Sequence, residues 1–275
     1  MTGGTPGFGA VAAERMLRTG EVRLILGARS PGDQSSGEAD SIRLDLTELA
    51  SVRSFADLVG ERLEGTRIDA LVLDAGIVRS DADGRTADGF ETTYAVNHLA
   101  AYPLLRLLVP RLADGAVVLL TTSGTHDPAT KAGFATPRHA DAELLAHPGR
   151  DPDREVRPRK AGQHAPRDRL RPRSGVRDWS RPDSPLRLRI AWAALGTPVL
   201  GAPLRALDPQ LNSRAAAGAS LADLALGAVT PPEGRSYAAL RRGRLTWPDP
   251  SEPARREELA RALWDDSARL VGLPS

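Results

Sequence analysis

The stretch Thr2-Gly3-Gly4-Thr5-Pro6-Gly7-Phe8-Gly9 decides the fold of this 275-residue chain. It has the spacing T-G-x-x-x-G-x-G and leads directly into an amphipathic segment, residues 8–19, that predicts a helix. Glycines at these spacings allow a tight turn and let the backbone approach a pyrophosphate, whose charge the helix N-terminus stabilises. The stretch therefore predicts a dinucleotide site, although Gly-Thr-Pro-Gly runs also form ordinary turns.

The next hundred residues alternate between short apolar runs and longer amphipathic segments. The apolar runs predict strands at residues 22–27, 42–46, 70–73 and 116–121. Helices are predicted from the N-cap Thr47 to about residue 63 and over residues 90–112, and a shorter one over residues 139–147. Strands that alternate with helices indicate an α/β fold with a doubly wound parallel sheet.

Length and composition favour one domain spanning residues 1–275, with no linker that divides it. The chain contains no cysteine, which excludes disulfides and thiolate metal sites, and its start does not resemble a signal peptide, so a cytoplasmic location is expected. Residues 190–204 form the longest apolar run, but glycines and prolines interrupt it, so we expect no membrane span. Net charge is only +2, which argues against nucleic-acid binding.

Four motifs and one serine follow one another in an order that resembles the short-chain dehydrogenase/reductase family. They are the glycine motif, Asp45-Leu46, Asp74-Ala75-Gly76, Val96-Asn97-His98 and Ser123. The resemblance extends from Thr2 to about residue 165, and residues 123–128 and 139–147 are most similar to the retinol dehydrogenase and protochlorophyllide reductase branch. It implies a Rossmann-like sheet and hydride transfer between a nicotinamide cofactor and a small hydrophobic carbonyl or alcohol. Family members often form homo-oligomers.

The resemblance also assigns roles to individual residues. The predicted cofactor-binding residues are Thr2, Gly3, Gly7, Phe8, Gly9, Arg29, Asp45, Leu46, Asp74, Ala75 and Gly76. Asp45 would accept a hydrogen bond from the adenine amino group beside Leu46. Ser123 would hold the substrate oxygen, and Asn97 would position a water in the proton relay. Without the resemblance, Ser123 is a serine at a strand end and Asn97 a poor helix former.

Arg29 follows the strand predicted at residues 22–27, where members of the family that use NAD carry an acid for the ribose 2′-hydroxyl. No acid stands at residues 27–29, and a guanidinium there can pair with a 2′-phosphate. The sequence therefore favours NADP(H) over NAD(H), and the alternative is an arginine that is only solvated.

The Y-x-x-x-K motif of the family, which supplies its acid/base and a ribose-binding lysine, is missing. Tyrosines occur only at positions 94, 102 and 237, and none is followed by a lysine four residues later. Residues 152–183 alternate arginine with proline and have neither strand nor helix period, so we expect an irregular segment and no sixth strand. His126 and His164 are candidate replacement acids.

Order is expected to return in an apolar helix at residues 186–195, in a strand or hairpin near residues 237–245, and in a helix from Glu252 capped by Ser251. The family's first strand is also missing, because Met1 directly precedes Thr2, and a start codon misassigned downstream of the true one would explain this. Two hypotheses remain open. One is an NADP(H)-linked oxidoreductase with impaired catalysis, and the other is an inactive nucleotide-binding relative or a damaged gene product.

Overall fold

A computed structural model describes residues 1–31, 39–79, 83–122, 140–150, 189–194, 212–250 and 252–274. The first half alternates strands and helices: α1 (Gly7–Leu17), β1 (Ile25–Ala28), β2 (Asp40–Arg43), α2 (Leu49–Arg62) and β3 (Ile68–Leu73). A long helix follows, with α3 (Thr92–Tyr94), a π-helical turn (Ala95–Leu99), α4 (Ala101–Leu108) and a 3₁₀ turn (Val109–Arg111).

The remaining elements complete the sheet and add three α-helices. They are β4 (Leu112–Thr122), α5 (Ala142–Ala146), a 3₁₀ turn (Pro148–Arg150), β5 (Arg189–Ala194), α6 (Arg214–Ala225), β6 (Tyr237–Arg241), β7 (Arg244–Thr246), a 3₁₀ turn (Glu252–Arg255) and α7 (Glu257–Leu270). No helix of this part of the chain is long and apolar enough to cross a membrane.

The strands β1 to β6 run parallel, and β7 closes the edge as an antiparallel hairpin with β6. β1 pairs with β2, and β3 begins a second run in the order β3-β4-β5-β6-β7. Thr2 joins the two runs, because it forms parallel bridges to Gly27 of β1 and to Leu73 of β3. Among the described residues, Thr2 alone pairs with both β1 and β3 at this place in the sheet.

Helices cover both faces of this sheet, which gives the doubly wound arrangement. On one face α2 and α4 pack over residues that include Leu71, Val118 and Leu120. On the other face α1 and α6 pack over residues that include Leu26, Leu119 and Leu240. Successive side chains of β4 pack on opposite faces of the sheet, because the side chains of a strand alternate with a period of two residues.

The predicted helix at residues 186–195 and the predicted loss of the sixth strand are both wrong. Residues Arg189–Ala194 form β5, which pairs in parallel with β4 and with β6 and so fills the sixth position when Thr2 is counted as the first. A short apolar run such as Ile190-Ala191-Trp192 fits a buried strand and a buried helix equally well by periodicity. Pairing on both edges decides between them.

Two predicted helix caps also need comment. Helix α2 begins at Leu49 with Glu48 as its N-cap residue, and Thr47 does not cap it because its hydroxyl donates to Asp45. The last helix begins as the 3₁₀ turn Glu252–Arg255 and becomes α-helical at Glu257, whereas its predicted cap Ser251 lies outside the described residues. The irregular segment 152–183, Ser123, His126 and His164 also lie outside them.

Candidate functional site

The glycine-rich turn packs directly against the end of β3. A Cβ atom on Gly3 would lie 2.6 Å from the backbone nitrogen of Ala75, and Gly3 has φ +76°. A Cβ atom on Gly9 would overlap the carbonyl oxygen of Gly3 and lie 2.5 Å from Oδ2 of Asp74. Only glycine fits these two positions. The structure therefore brings together Gly3, Gly9, Asp74 and Ala75, four of the predicted cofactor-binding residues.

Gly7 has a different environment from the other two glycines. Its φ of +72° is left-handed, and a Cβ atom built on it would meet no other atom within 4 Å. Gly7 is also the first residue of α1, whose opening backbone N–H groups have no partner within the helix. Open space beside a positive helix end is a cradle in which a phosphate fits.

Thr2, one of the predicted cofactor-binding residues, is buried and connects the glycine turn to β3. Its Oγ1 accepts a hydrogen bond from the backbone N–H of Ala75 at 3.2 Å, and its own N–H donates to the carbonyl oxygen of Val72 at 2.8 Å. These two bonds hold the glycine turn to the carboxyl end of β3. Thr2 therefore fixes the position of the glycine turn relative to the sheet.

Asn97 joins the long central helix to the loop after β3. It lies in the π-helical turn Ala95–Leu99, an irregularity of the kind that often marks functional sites. Its Oδ1 accepts from the backbone N–H of Ile77 at 2.8 Å, and its Nδ2 donates to the carbonyl oxygen of Ile77 at 2.8 Å. Its carboxamide also contacts Gly76, where a Cβ atom would lie 3.3 Å from Oδ1.

Asp45 lies just beyond the carboxyl end of β2, close enough to the exposed Arg29 and Arg43 for both charges to act on it. Its Oδ1 accepts hydrogen bonds from the backbone N–H and the hydroxyl of Thr47, at 2.9 and 2.7 Å. Partial burial works to raise the pKa of Asp45, but the hydrogen bonds from Thr47 and the positive charges of Arg29 and Arg43 outweigh it, so the pKa lies below its usual value. The carboxylate is therefore ionised and able to accept hydrogen bonds at neutral pH.

Arg29 and Arg43 are exposed, and neither guanidinium group forms a hydrogen bond or an ion pair with a described residue. They come from neighbouring strands in register, since Ala28 is the partner of Arg43. The sequence predicted Arg29 and missed Arg43. The signal was present, because Arg43 stands two residues before Asp45 on the exposed side of a half-buried strand, but the pairing of β1 with β2 was needed to place it beside Arg29.

The other predicted residues occupy supporting positions. Phe8 is half-buried and packs into the cluster beneath α1 and α6, and Leu46 is half-buried against the cluster beneath α2. The tyrosines at 94, 102 and 237 are all buried, Tyr94 stacked on His98 with ring centroids 5.0 Å apart. Ser123, which would follow β4 directly, is not among the described residues.

The sequence model of the short chain dehydrogenase family matches residues 1–134. Protochlorophyllide reductase A from Oryza sativa subsp. japonica is 34% identical over 123 residues, 41% of this chain and 31% of that protein. Retinol dehydrogenase 12 from Bos taurus is 34% identical over 140 residues, 46% of this chain and 43% of that protein. The chain thus matches less than half the length of each of these two curated relatives.

The solved structures extend the likeness beyond residue 134. An uncharacterized protein from Mycobacterium paratuberculosis superposes with a TM-score of 0.69 and 25% identity, covering 99% of this chain and 92% of that one. A carbonyl reductase from Pseudomonas aeruginosa PAO1 superposes with a TM-score of 0.53 and 23% identity, covering 82% and 89%, which shows a shared fold. The motifs, the fold and the match over residues 1–134 support the assignment of this chain to the short-chain dehydrogenase family.

Proposed function

We propose that this protein binds NADP(H) and serves hydride transfer between that cofactor and a hydrophobic carbonyl or alcohol, with impaired catalysis. The observation that carries the proposal is the glycine turn, which is packed against Asp74 and Ala75 and leaves open space at Gly7 beside the start of α1. The relatives named as reductases and dehydrogenases support an oxidoreductase. When bound, NADP(H) supplies the hydride, and the chain supplies binding and orientation.

The predicted residues have different roles in this proposal. Gly7 and the start of α1 hold the pyrophosphate, and Gly3 and Gly9 permit the close packing that shapes the turn. Asp45 accepts a hydrogen bond from the adenine amino group, with Leu46 beside the ring. Asn97 fixes the loop Asp74-Ala75-Gly76 through Ile77.

The preference for NADP(H) rests on charge. Arg29 and Arg43 are exposed and lie close enough to Asp45 to lower its pKa. A 2′-phosphate placed between them would gain charge-assisted hydrogen bonds from two guanidinium groups. The 2′-hydroxyl of NAD(H) would gain no comparable attraction, because no acid stands at residues 27–29 to accept its hydrogen bond.

Impaired catalysis follows from the missing acid/base. Ser123 can hold the substrate oxygen, but a carbonyl that receives a hydride also needs a proton donor. All tyrosines of the chain are buried, and no lysine stands four residues after any of them. This same observation supports the second candidate function, an inactive relative that binds nucleotide without turnover.

The assay that tests the proposal follows NADPH absorbance with a panel of aldehydes, ketones and retinoids. We expect turnover to be at least roughly 10²–10⁴-fold below that of a family member with an intact Y-x-x-x-K motif, the range that a positioned acid/base contributes. Ser123→Ala is the matched variant. Turnover at the level of intact members that survives in Ser123→Ala would contradict the assigned site, and turnover lost in His126→Ala or His164→Ala would identify a replacement acid.

A further inference from the structure

The hairpin that closes the sheet carries three arginines at a tightly held tip. Arg241 ends β6, Arg244 begins β7, and the two residues between them, Arg242 and Gly243, have φ of +52° and +73°. Positive φ at both central residues is typical of a type I′ turn. Asn212 clamps this turn, because its Nδ2 donates to the carbonyl oxygen of Leu240 at 2.7 Å and its Oδ1 accepts from the N–H of Gly243 at 2.8 Å.

The fold itself disfavours arginine at each of these three positions. Arg241 and Arg244 are direct cross-strand partners, and like charges directly opposite each other destabilise a strand pair. Arg242 occupies a left-handed conformation in which glycine or asparagine is preferred. All three side chains are exposed, and none forms an ion pair or a hydrogen bond with the residues that the structure describes. The repulsion between them is therefore not offset within this part of the chain.

The hairpin tip lies at the edge of the sheet that also carries the candidate site. β6 runs parallel to β4 and β5, so Arg241 at its carboxyl end points to the same edge as Asp74 after β3 and Thr122 at the end of β4. Leu240 packs on the side of α1 and α6, so the alternation along the strand places Arg241 on the side of α4. Two strand spacings, about 10 Å, separate β6 from β4.

We propose that Arg241, Arg242 and Arg244 bind an anionic group of the substrate at the carboxyl edge of the sheet, where β6 lies two strand spacings, about 10 Å, from β4. This inference rests on the proposed function, which puts the reacting carbon at the end of β4 where Ser123 follows. It defines the substrate as a carbonyl or alcohol compound with a hydrophobic body and a carboxylate or phosphate at its far end. Guanidinium groups are suited to such groups because they form paired, charge-assisted hydrogen bonds.

Protection of the edge strand is the structural alternative, since exposed charge on an edge strand prevents pairing with another sheet. One charged side chain is enough to prevent such pairing. It gives no reason for two arginines directly opposite each other, nor for a third at a positive φ.

The test compares a keto acid whose carboxylate lies about 10 Å from its ketone carbon with the methyl ester of the same acid. Dissociation constants are measured by calorimetry with and without NADPH, so the result does not depend on turnover. We expect the acid to bind at least about tenfold more tightly than the ester, and each of Arg241→Gln and Arg244→Gln to remove about that factor. Arg242→Asn should do the same while keeping the turn, because asparagine favours its conformation.

Arg23→Gln is the matched control, because Arg23 is exposed at the opposite, amino edge of the sheet before β1. Equal binding of acid and ester, or acid binding unchanged in Arg241→Gln/Arg244→Gln, would overturn the proposal while leaving NADPH binding intact. Arginine-dependent binding of the acid without binding of NADPH would support the anion site and refute the proposed function. Binding of a single-stranded oligonucleotide through these arginines, with none of the keto acid, would also overturn it.

Discussion

The side chain of Asn97 holds the loop that follows β3, which contains Asp74, Ala75, Gly76 and Ile77. Its carboxamide satisfies both backbone groups of Ile77, and these bonds tie the π-helical turn to the loop that packs under the glycine turn. A single side chain thus links the central helix to Asp74 and Ala75. The effect of removing it should appear in stability and in nucleotide binding together.

We expect Asn97→Ala to lower the free energy of unfolding by roughly 1–3 kcal/mol, the cost of leaving a partly buried donor and acceptor unsatisfied. Nucleotide affinity should fall as well, because the loop loses its anchor. Urea denaturation and NADPH titration measure the two effects. Asn212→Ala is the control, since it also removes two backbone hydrogen bonds but at the distant hairpin, and it should weaken stability alone. Unchanged NADPH affinity in Asn97→Ala would contradict this role.

Single residues were predictable where backbone geometry demands one residue type. The spacing of Gly3, Gly7 and Gly9 was sufficient to predict the turn, because each glycine has a steric or conformational reason to be there. The hydrogen bond that Thr2 accepts from Ala75, 73 residues away, was not predicted. Arg43 was missed for the same reason. Contacts between residues distant in sequence depend on register, which local patterns do not contain.

At the scale of elements, helix α6 positions the first turn of α1 through Gly218. A Cβ atom on Gly218 would lie 2.5 Å from Cβ of Val11 and 2.6 Å from the carbonyl oxygen of Phe8. The backbone of α1 therefore rests directly on that of α6, and an ion pair between Arg15 and Asp223, at 2.8 Å, fixes the same contact further along. This packing between α1 and α6 therefore also fixes the position of the glycine turn that precedes α1.

Gly218→Ala should destabilise the protein by about 1–3 kcal/mol, because backbone atoms must shift to admit the methyl group. It should also weaken NADPH binding, since Phe8 lies in the first turn of α1. At a helix position with free space, replacing glycine by alanine stabilises a protein by roughly 0.5–1 kcal/mol. Destabilisation by Gly218→Ala would therefore be due to the close contact with α1. A higher melting temperature in Gly218→Ala with NADPH affinity unchanged would refute this account of the contact.

Elements with a clear period were predicted, and those with a short apolar run were not. Helix α2 and strand β3 follow their apolar spacing closely, and the predicted hairpin near residues 237–245 is confirmed as β6 and β7. β5 was predicted as a helix because its six residues are nearly all apolar and show neither period. Its pairing with β4 and β6, which no local signal reveals, decides its conformation.

At the scale of the whole molecule, Met1 and Thr2 hold the two halves of the sheet together. The Met1 amino group donates to the carbonyl oxygen of Ile25 at 2.7 Å, and the N–H of Gly27 donates to the carbonyl oxygen of Met1 at 2.9 Å. Burial lowers the pKa of this amino group to about 5. The junction between β1 and β3 therefore contains a titratable group that is charged in the unfolded chain at neutral pH.

The amino group of Met1 has a pKa near 8 in the unfolded chain and about 5 in the folded protein. Between pH 8 and pH 5 the unfolded chain therefore binds more protons at this group, and the free energy of unfolding should fall as the pH falls through this window. With a free amino group the loss should reach on the order of 4 kcal/mol. Urea denaturation is measured from pH 8 to pH 5 on the chain with a free amino group and on the Nα-acetylated chain. The difference between the two pH profiles is the contribution of the amino group. Parallel pH profiles for the two forms would contradict the burial of a titrating amine.

We propose that the glycine turn binds NADP(H) together with Arg29 and Arg43, which lie at the carboxyl ends of β1 and β2. Calorimetric titration of NADPH and NADH into the protein, Arg29→Ala and the control Arg23→Ala tests it most directly. We predict roughly 10- to 100-fold tighter binding of NADPH than of NADH, the worth of a charge-assisted contact with the 2′-phosphate, and loss of most of that difference in Arg29→Ala alone. Equal affinities for the two nucleotides in the parent protein, or a preference that survives in Arg29→Ala, would contradict the claim.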